Sequence, residues 1–118
     1  MADFGLFIGF GAPVRGRESQ AVELFNETLQ YYGRLQEEGE IESFEPAFLE
    51  PHGGELGGFI LIRGEAEKLA ALRVDDEFTK FTLRAGLIVD NFGVVGVDLA
   101  ERLQRQMEYY IEQIGAFA

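Results

Sequence analysis

The sequence predicts an α+β domain in which a four-stranded sheet carries helices on one face. Three observations lead there. Short apolar runs of strand type alternate with helix-period segments in the order β-α-β-β-α-β-α. Pro51-His52-Gly53-Gly54-Glu55 is turn chemistry between two strand-like runs, which marks a hairpin. The whole pattern occupies 118 residues without a linker, repeat or low-complexity tract, so residues 1–118 read as one domain.

Each element has a local reason. Phe4 to Phe10 is apolar, aromatic and punctuated by glycine, as a buried strand is. Gly11 to Gly16 is a loop containing Pro13, and Ser19 is the expected N-cap of the first helix. Val22, Phe25, Leu29, Tyr32 and Leu35 then recur at helical spacing up to a Gly39 stop. Ile41 to Glu50 alternates imperfectly, with Phe44 and Phe48 on one face, and Pro46 assigns it to a sheet edge. Phe59-Ile60-Leu61-Ile62 is continuously apolar, as in a strand covered on both faces. Glu65 to Gly86 reads as a broken helix or two short ones meeting near Val74, with Leu69 and Leu72 inward and Asp75 or Asp76 as a second N-cap. A last strand is expected from Leu87 to Val97, interrupted by Asp90 and Asn91. Asp98-Leu99-Ala100-Glu101 has capping-box spacing, and Leu99, Leu103, Met107, Tyr110 and Ile114 follow as a helical stripe.

Strands joined by one hairpin and two helical crossovers give an antiparallel or mixed sheet. The order is that of the ferredoxin-like plan, β-α-β-β-α-β with an extra C-terminal helix, whose four-stranded sheet is antiparallel.

Composition excludes much chemistry. The net charge is −11, with 21 acidic against 10 basic side chains, so binding to nucleic acid or an anionic membrane surface is not expected. The absence of Cys removes disulfides, thiol catalysis and thiolate metal sites. A single His removes multi-His zinc sites, and neither a metal nor a cofactor is expected. Met1-Ala2-Asp3 does not open a signal peptide, and no apolar run approaches the ~20 residues of a membrane helix, so a cytoplasmic setting is expected.

From Gly57 onward the chain resembles the dimeric α+β barrel superfamily, nearest to its YCII-related and stress-responsive domains. The likeness rests on Gly58-Phe59-Ile60-Leu61-Ile62-Arg63, on Asp75-Asp76-Glu77-Phe78 and on Ala85-Gly86-Leu87, and spans residues 57 to 97. Glu77 stands where those domains usually have proline. The resemblance implies homodimers whose sheets face one another around a pocket. It does not supply a catalytic pair: YCII-like proteins carry an early His–Asp pair, and Arg17 to Phe25 contains no His. The haem-degrading branch relies on Trp and a helical His ligand, and this chain has no Trp.

The candidate site residues are few. Gly11 to Glu18 resembles a phosphate loop in position, but Glu18 replaces the magnesium-binding hydroxyl and would repel phosphate. Arg15 and Arg17 at the helix start could instead hold a small anion. His52 is the one side chain whose ordinary titration lies near neutrality, and a solvated turn residue is its default reading. Asp90 and Asn91 interrupt an apolar strand on opposite faces, with Arg63 as the natural partner of Asp90. His52 and Asp90 are therefore the catalytic candidates, and Arg15, Arg17, Arg63 and Asn91 the ligand-binding ones. The glutamates from Glu37 to Glu55 read as a solvated acidic face. The aromatic set Phe25, Tyr32, Phe44, Phe48, Phe59, Phe78, Phe81 and Phe92 could line a pocket, with core packing the default.

The expected function is a homodimeric, non-catalytic binding module for a small, partly apolar molecule. The alternatives are a cofactor-independent monooxygenase or isomerase using His52, Asp90 or Arg17, and a structural or protein-interaction domain. Self-association follows from the strands. Phe4–Phe10 and Phe59–Ile62 are apolar at both parities, so both sheet faces expect cover, while the crossover helices can cover only one. Several hundred Å² of apolar sheet left in water would forgo roughly 10 kcal/mol. The second face needs either the C-terminal helix or a second copy of the chain. The helix offers one stripe of about 16 residues, roughly 24 Å long and too narrow to roof four strands. A second copy is therefore expected, with Phe44 and Phe48 in the contact.

Overall fold

The runs that are apolar at both parities become the two central strands. The computed structural model describes residues 2–117. Its elements are β1 (Phe4–Phe10), α1 (Glu18–Glu37), β2 (Ser43–Phe48), β3 (Gly58–Gly64), α2 (Ala66–Arg73), α3 (Asp76–Ile88), β4 (Gly93–Asp98) and α4 (Ala100–Ala116). The strands form one antiparallel sheet in the order β2-β3-β1-β4, the ferredoxin-like arrangement. Pro46 lies on edge strand β2, where a missing N–H costs nothing in the ladder.

Register decides what each face carries. Leu6 pairs with Ile62 and Ile8 with Ile60, and these four side chains are buried on the helix-bearing face. They pack with Tyr32 and Leu35 of α1, Leu69 and Leu72 of α2, and Phe78 of α3. The alternate residues Phe7, Phe59, Leu61, Val95 and Val97 share the opposite face, where Phe7 pairs with Leu61 and Val95 and Gly5 with Val97. Phe7 and Phe59 stack there with ring centroids 5.1 Å apart. No helix among the described residues lies along this face, and Val95 is 55% exposed on it.

Local signals place most helix ends. Gly39, at φ 77°, takes the left-handed position after α1, while the Glu40 N–H donates to the Leu35 carbonyl. Asp75 caps α3, its Oδ2 accepting from the N–H of Glu77 (3.0 Å) and of Phe78 (3.2 Å). The break near Val74 thus separates two helices.

Four expectations are corrected. Helix α1 begins at Glu18, so Ser19 lies inside its first turn, and the cap position is Arg17 without a side-chain bond. The segment Leu87–Val97 is not one strand: Leu87 and Ile88 end α3, Val89 makes an isolated bridge to Pro13, and β4 starts only at Gly93. Gly86 continues the helix, since mid-helix glycine costs only about 1 kcal/mol. Asp98 does not form a capping box. It is the last residue of β4, paired with Phe4, and α4 starts after Leu99 with Ala100 at φ 49°. Finally, Phe44 and Phe48, expected in a self-contact, lie on the helix-bearing face: Phe44 packs against Tyr32 at 6.0 Å, and Phe48 packs against Phe25 at 5.0 Å and Phe10 at 6.2 Å. A contact through the open face would involve neither, because β2 presents Ser43, Glu45 and Ala47 there.

Among the described residues, helix α4 keeps its predicted stripe exposed and packs on the sheet only near its start, where Arg102 lies 5.3 Å over the Phe4 ring. Leu103, Met107, Ile111 and Ile114 are 51%, 52%, 62% and 55% exposed. No helix among the described residues is long and apolar enough to cross a membrane.

Candidate functional site

Helices α1 and α3 run antiparallel across the sheet, and their contacts are concentrated over part of their length. Tyr31 stacks on Phe81 at 4.7 Å. Arg34 reaches both carboxylate oxygens of Glu77 at 2.8 Å, and Arg84 bonds Glu27. Farther along, the Arg17 guanidinium donates to the Leu87 carbonyl at 3.0 Å, tying the start of α1 to the last turn of α3. Between these ties the helices stand apart. The gap is a cleft of about 660 Å³, floored by Ile8 and Ile60 of the sheet.

The cleft is apolar. Phe10, Phe25, Phe48, Phe81 and Phe92 supply aromatic walls, and Ala21 and Val22 of α1 face Ala85 of α3. Thr28 and Thr82 also line it, but each hydroxyl donates to a helix carbonyl, Leu24 at 2.7 Å and Thr79 at 2.9 Å. Glu18, at the edge, accepts from the Gly16 N–H at 2.9 Å. An arrangement of this kind can hold an apolar molecule by burial. It presents no nucleophile beside a base.

Two buried tyrosines of α1 lie near the cleft, and Tyr32 lines it. Burial, followed by the Asp75 and Glu77 charges, pushes the Tyr31 hydroxyl up to about 12, and this buried hydroxyl finds no hydrogen-bond partner among the described residues. Burial likewise raises Tyr32, with Tyr31 adding to the effect. Both remain neutral in ordinary buffers.

The residues singled out from sequence do not converge. His52 staples its own turn: Nδ1 accepts from the Gly54 N–H at 3.1 Å, which leaves Nε2 to donate to the Leu56 carbonyl at 2.7 Å. Both ring nitrogens are engaged with backbone. Asp90 and Asn91 lie in the bend before β4, where the Asp90 backbone pairs with Gly11 and Ala12. Asn91, at φ 54°, makes the turn that the strand reading missed. Arg63 is on the open face of β3 and pairs with Glu45 at 3.4 Å, which replaces the expected Asp90 pairing. It therefore lies at the opposite end of β1 from Arg17 and Asn91, across from Gly5. Arg15 is exposed in the turn before α1. None of His52, Arg15, Arg63, Asp90 and Asn91 lines the cleft. Among the described residues no group of three or more His, Asp or Glu is placed to hold a metal ion.

Sequence reasoning found the walls and missed the opening. Phe25, Tyr32, Phe48, Phe81 and Phe92 of the aromatic set line the cleft, whereas Phe44 and Phe78 belong to the core and Phe59 to the open face. Ala21 and Ala85 were not singled out, and Val22 was read only as part of the helical stripe. The available signal was small side chains at inward positions of two facing helices.

No family model matches the chain, and no curated protein matches it. Two solved structures are similar in fold. One is a dimeric protein of unknown function with a ferredoxin-like fold from Bacteroides fragilis NCTC 9343, with a TM-score of 0.59 and 8% identity over 82% of this chain and 97% of that one. The other is a dimeric ferredoxin-like protein of unknown function from Jannaschia sp. CCS1, with a TM-score of 0.60 and 15% identity over 82% of this chain and 98% of that one. At these identities the likeness is one of fold, and the chain shares the ferredoxin-like fold of both proteins.

Proposed function

We propose that this protein is a self-associating, non-catalytic binding module that holds a small, mainly apolar molecule between α1 and α3. The observation that carries the reading is the cleft itself. Its volume of about 660 Å³ falls within the ~300–1,000 Å³ of small-molecule sites, and its walls are aromatic and aliphatic. Binding is favoured over turnover because His52 is engaged at both nitrogens and Arg17 is committed to Leu87. The sequence likeness to YCII-related and stress-responsive barrel domains supports self-association, as do the two dimeric proteins of like fold.

The test uses N-phenyl-1-naphthylamine, a neutral apolar probe that brightens on burial. Saturable uptake of one probe per chain is expected, weakened at least tenfold by Val22→Asp. Val22 is 62% exposed, so the substitution puts a charge at the cleft without touching the core. Uptake that is absent, or indifferent to Val22→Asp, would remove the reading. Light scattering addresses the assembly, with a mass near twice the 13.2 kDa chain expected.

A further inference from the structure

The chain leaves two apolar surfaces uncovered at once, and they match. One is the open sheet face, centred on the Phe7–Phe59 stack with Leu61, Val95 and Val97 around it. The other is the α4 stripe of Leu103, Met107, Tyr110, Ile111 and Ile114, every member more than half exposed. A helix so apolar along one side forms stably when that side is packed. We propose that α4 of each copy lies across the open sheet face of a second copy, so that two chains exchange their C-terminal helices reciprocally. This rests on the self-association reading above and specifies its geometry.

Dimensions support the occupant. The radius of gyration is 16.3 Å, against about 13.5 Å for a compact chain of this length. The chain extends 53 Å along its longest axis, and among the described residues α4 is anchored at its root. There the Leu99 N–H donates to the Asp3 carbonyl at 2.9 Å, and Arg105 lies 3.6 Å from the Asp3 carboxylate. Beyond this root the helix side chains are exposed. Ala100 turns the helix away in the left-handed region, which an alanine holds only at a cost. A 17-residue helix is about 25 Å long and 10 Å across. Seven-residue strands are ~23 Å long, so α4 spans the sheet along its strands. Two such dockings, counting both surfaces of each, bury on the order of 1,000 Å², the threshold of a stable interface. A four-stranded sheet ~19 Å wide accepts one such helix and leaves space beside it.

The chain has no Cys, so single-cysteine variants report proximity cleanly. Met107→Cys and Leu61→Cys proteins are unfolded together, refolded and oxidised. The exchange predicts the mixed Met107→Cys/Leu61→Cys disulfide dimer as the main product. A predominant Leu61→Cys homodimer would mean that the sheets stack directly, and overturns the proposal. So does the absence of a mixed product when the unmodified protein is dimeric by light scattering, an outcome that leaves self-association standing. A monomeric mass for the unmodified protein removes both. Met107→Glu with Ile111→Glu, both on exposed helix surface, is expected to lower the mass to the 13.2 kDa monomer while the far-UV circular dichroism loses no more than the share of the 17-residue α4. Retention of the dimer by this variant overturns the helix docking.

Discussion

Replacing Ala85 with Phe asks whether the cleft is open in solution. Ala85 lies on α3 and faces Ala21, Val22 and Phe25 across a space of about 660 Å³. A cavity that accepts benzene needs only about 150 Å³, so a benzyl group enters without displacing a wall. Burying the ring gains roughly 1.5–3 kcal/mol. Against this stand about 0.5 kcal/mol of helix propensity and the rotamer freedom the new side chain loses. The balance is a stabilisation of about 1 kcal/mol, or a Tm roughly 4 °C higher for a domain of this size. The same ring occupies the binding space, so N-phenyl-1-naphthylamine should bind at least tenfold more weakly, a loss of about 1.4 kcal/mol. Thermal unfolding by circular dichroism and a fluorescence titration measure the two effects on one preparation. Opposite signs, with stability up and affinity down, are the signature of a pre-formed opening. Destabilisation by about 1–3 kcal/mol is what overpacking a closed core produces, and that result would refute the cleft and the function argued from it.

Four further perturbations have expected outcomes. Asp75→Ala removes the acceptor for the Glu77 and Phe78 N–H groups and should cost about 1 kcal/mol in urea unfolding; it should also bring the Tyr31 titration down from about 12, read by ultraviolet absorbance, because Asp75 is one of the charges holding it up. Tyr31 and Tyr32 are raised in the folded state, so the unfolded chain releases its tyrosine protons first; their contribution is complete below pH 10 and is lost as pH rises toward 12, at no more than about 1.4 kcal/mol per pH unit for each group. Urea midpoints that stay level above pH 10 would contradict this, and Tyr31→Phe, which deletes an unpartnered buried hydroxyl, should be neutral or stabilising by about 1 kcal/mol at pH 7. His52→Ala removes an exposed turn staple and should cost about 0.5 kcal/mol with probe uptake unchanged; loss of uptake would return His52 to the functional site.

Features that depend on neighbouring residues are legible in the chain before it folds. Gly39 ends α1 because only the left-handed region closes that turn, and Asp75 starts α3 because its carboxylate reaches two free N–H groups. Pro46 assigned β2 to an edge, and apolar residues at both parities placed β1 and β3 in the middle of a sheet needing cover on both sides. Element order then carried the ferredoxin-like fold. What the tertiary structure decided depends on pairings remote in sequence. Phe44 and Phe48 share a face by simple alternation, but which face follows from the pairing of Phe44 with Ile62. Leu87 and Ile88 look like strand, yet they close α3, and the bridge of Val89 to Pro13 and the Asp90 bonds to Gly11 and Ala12 set where the chain turns. Asp98 has the spacing of a cap, but the ladder to Phe4 takes it first. The cleft was the least legible feature, because empty space has no residue type. It exists where α1 and α3 diverge between the Tyr31–Phe81 stack and the Arg17–Leu87 bond, a geometry set by long-range packing rather than by any local run of side chains.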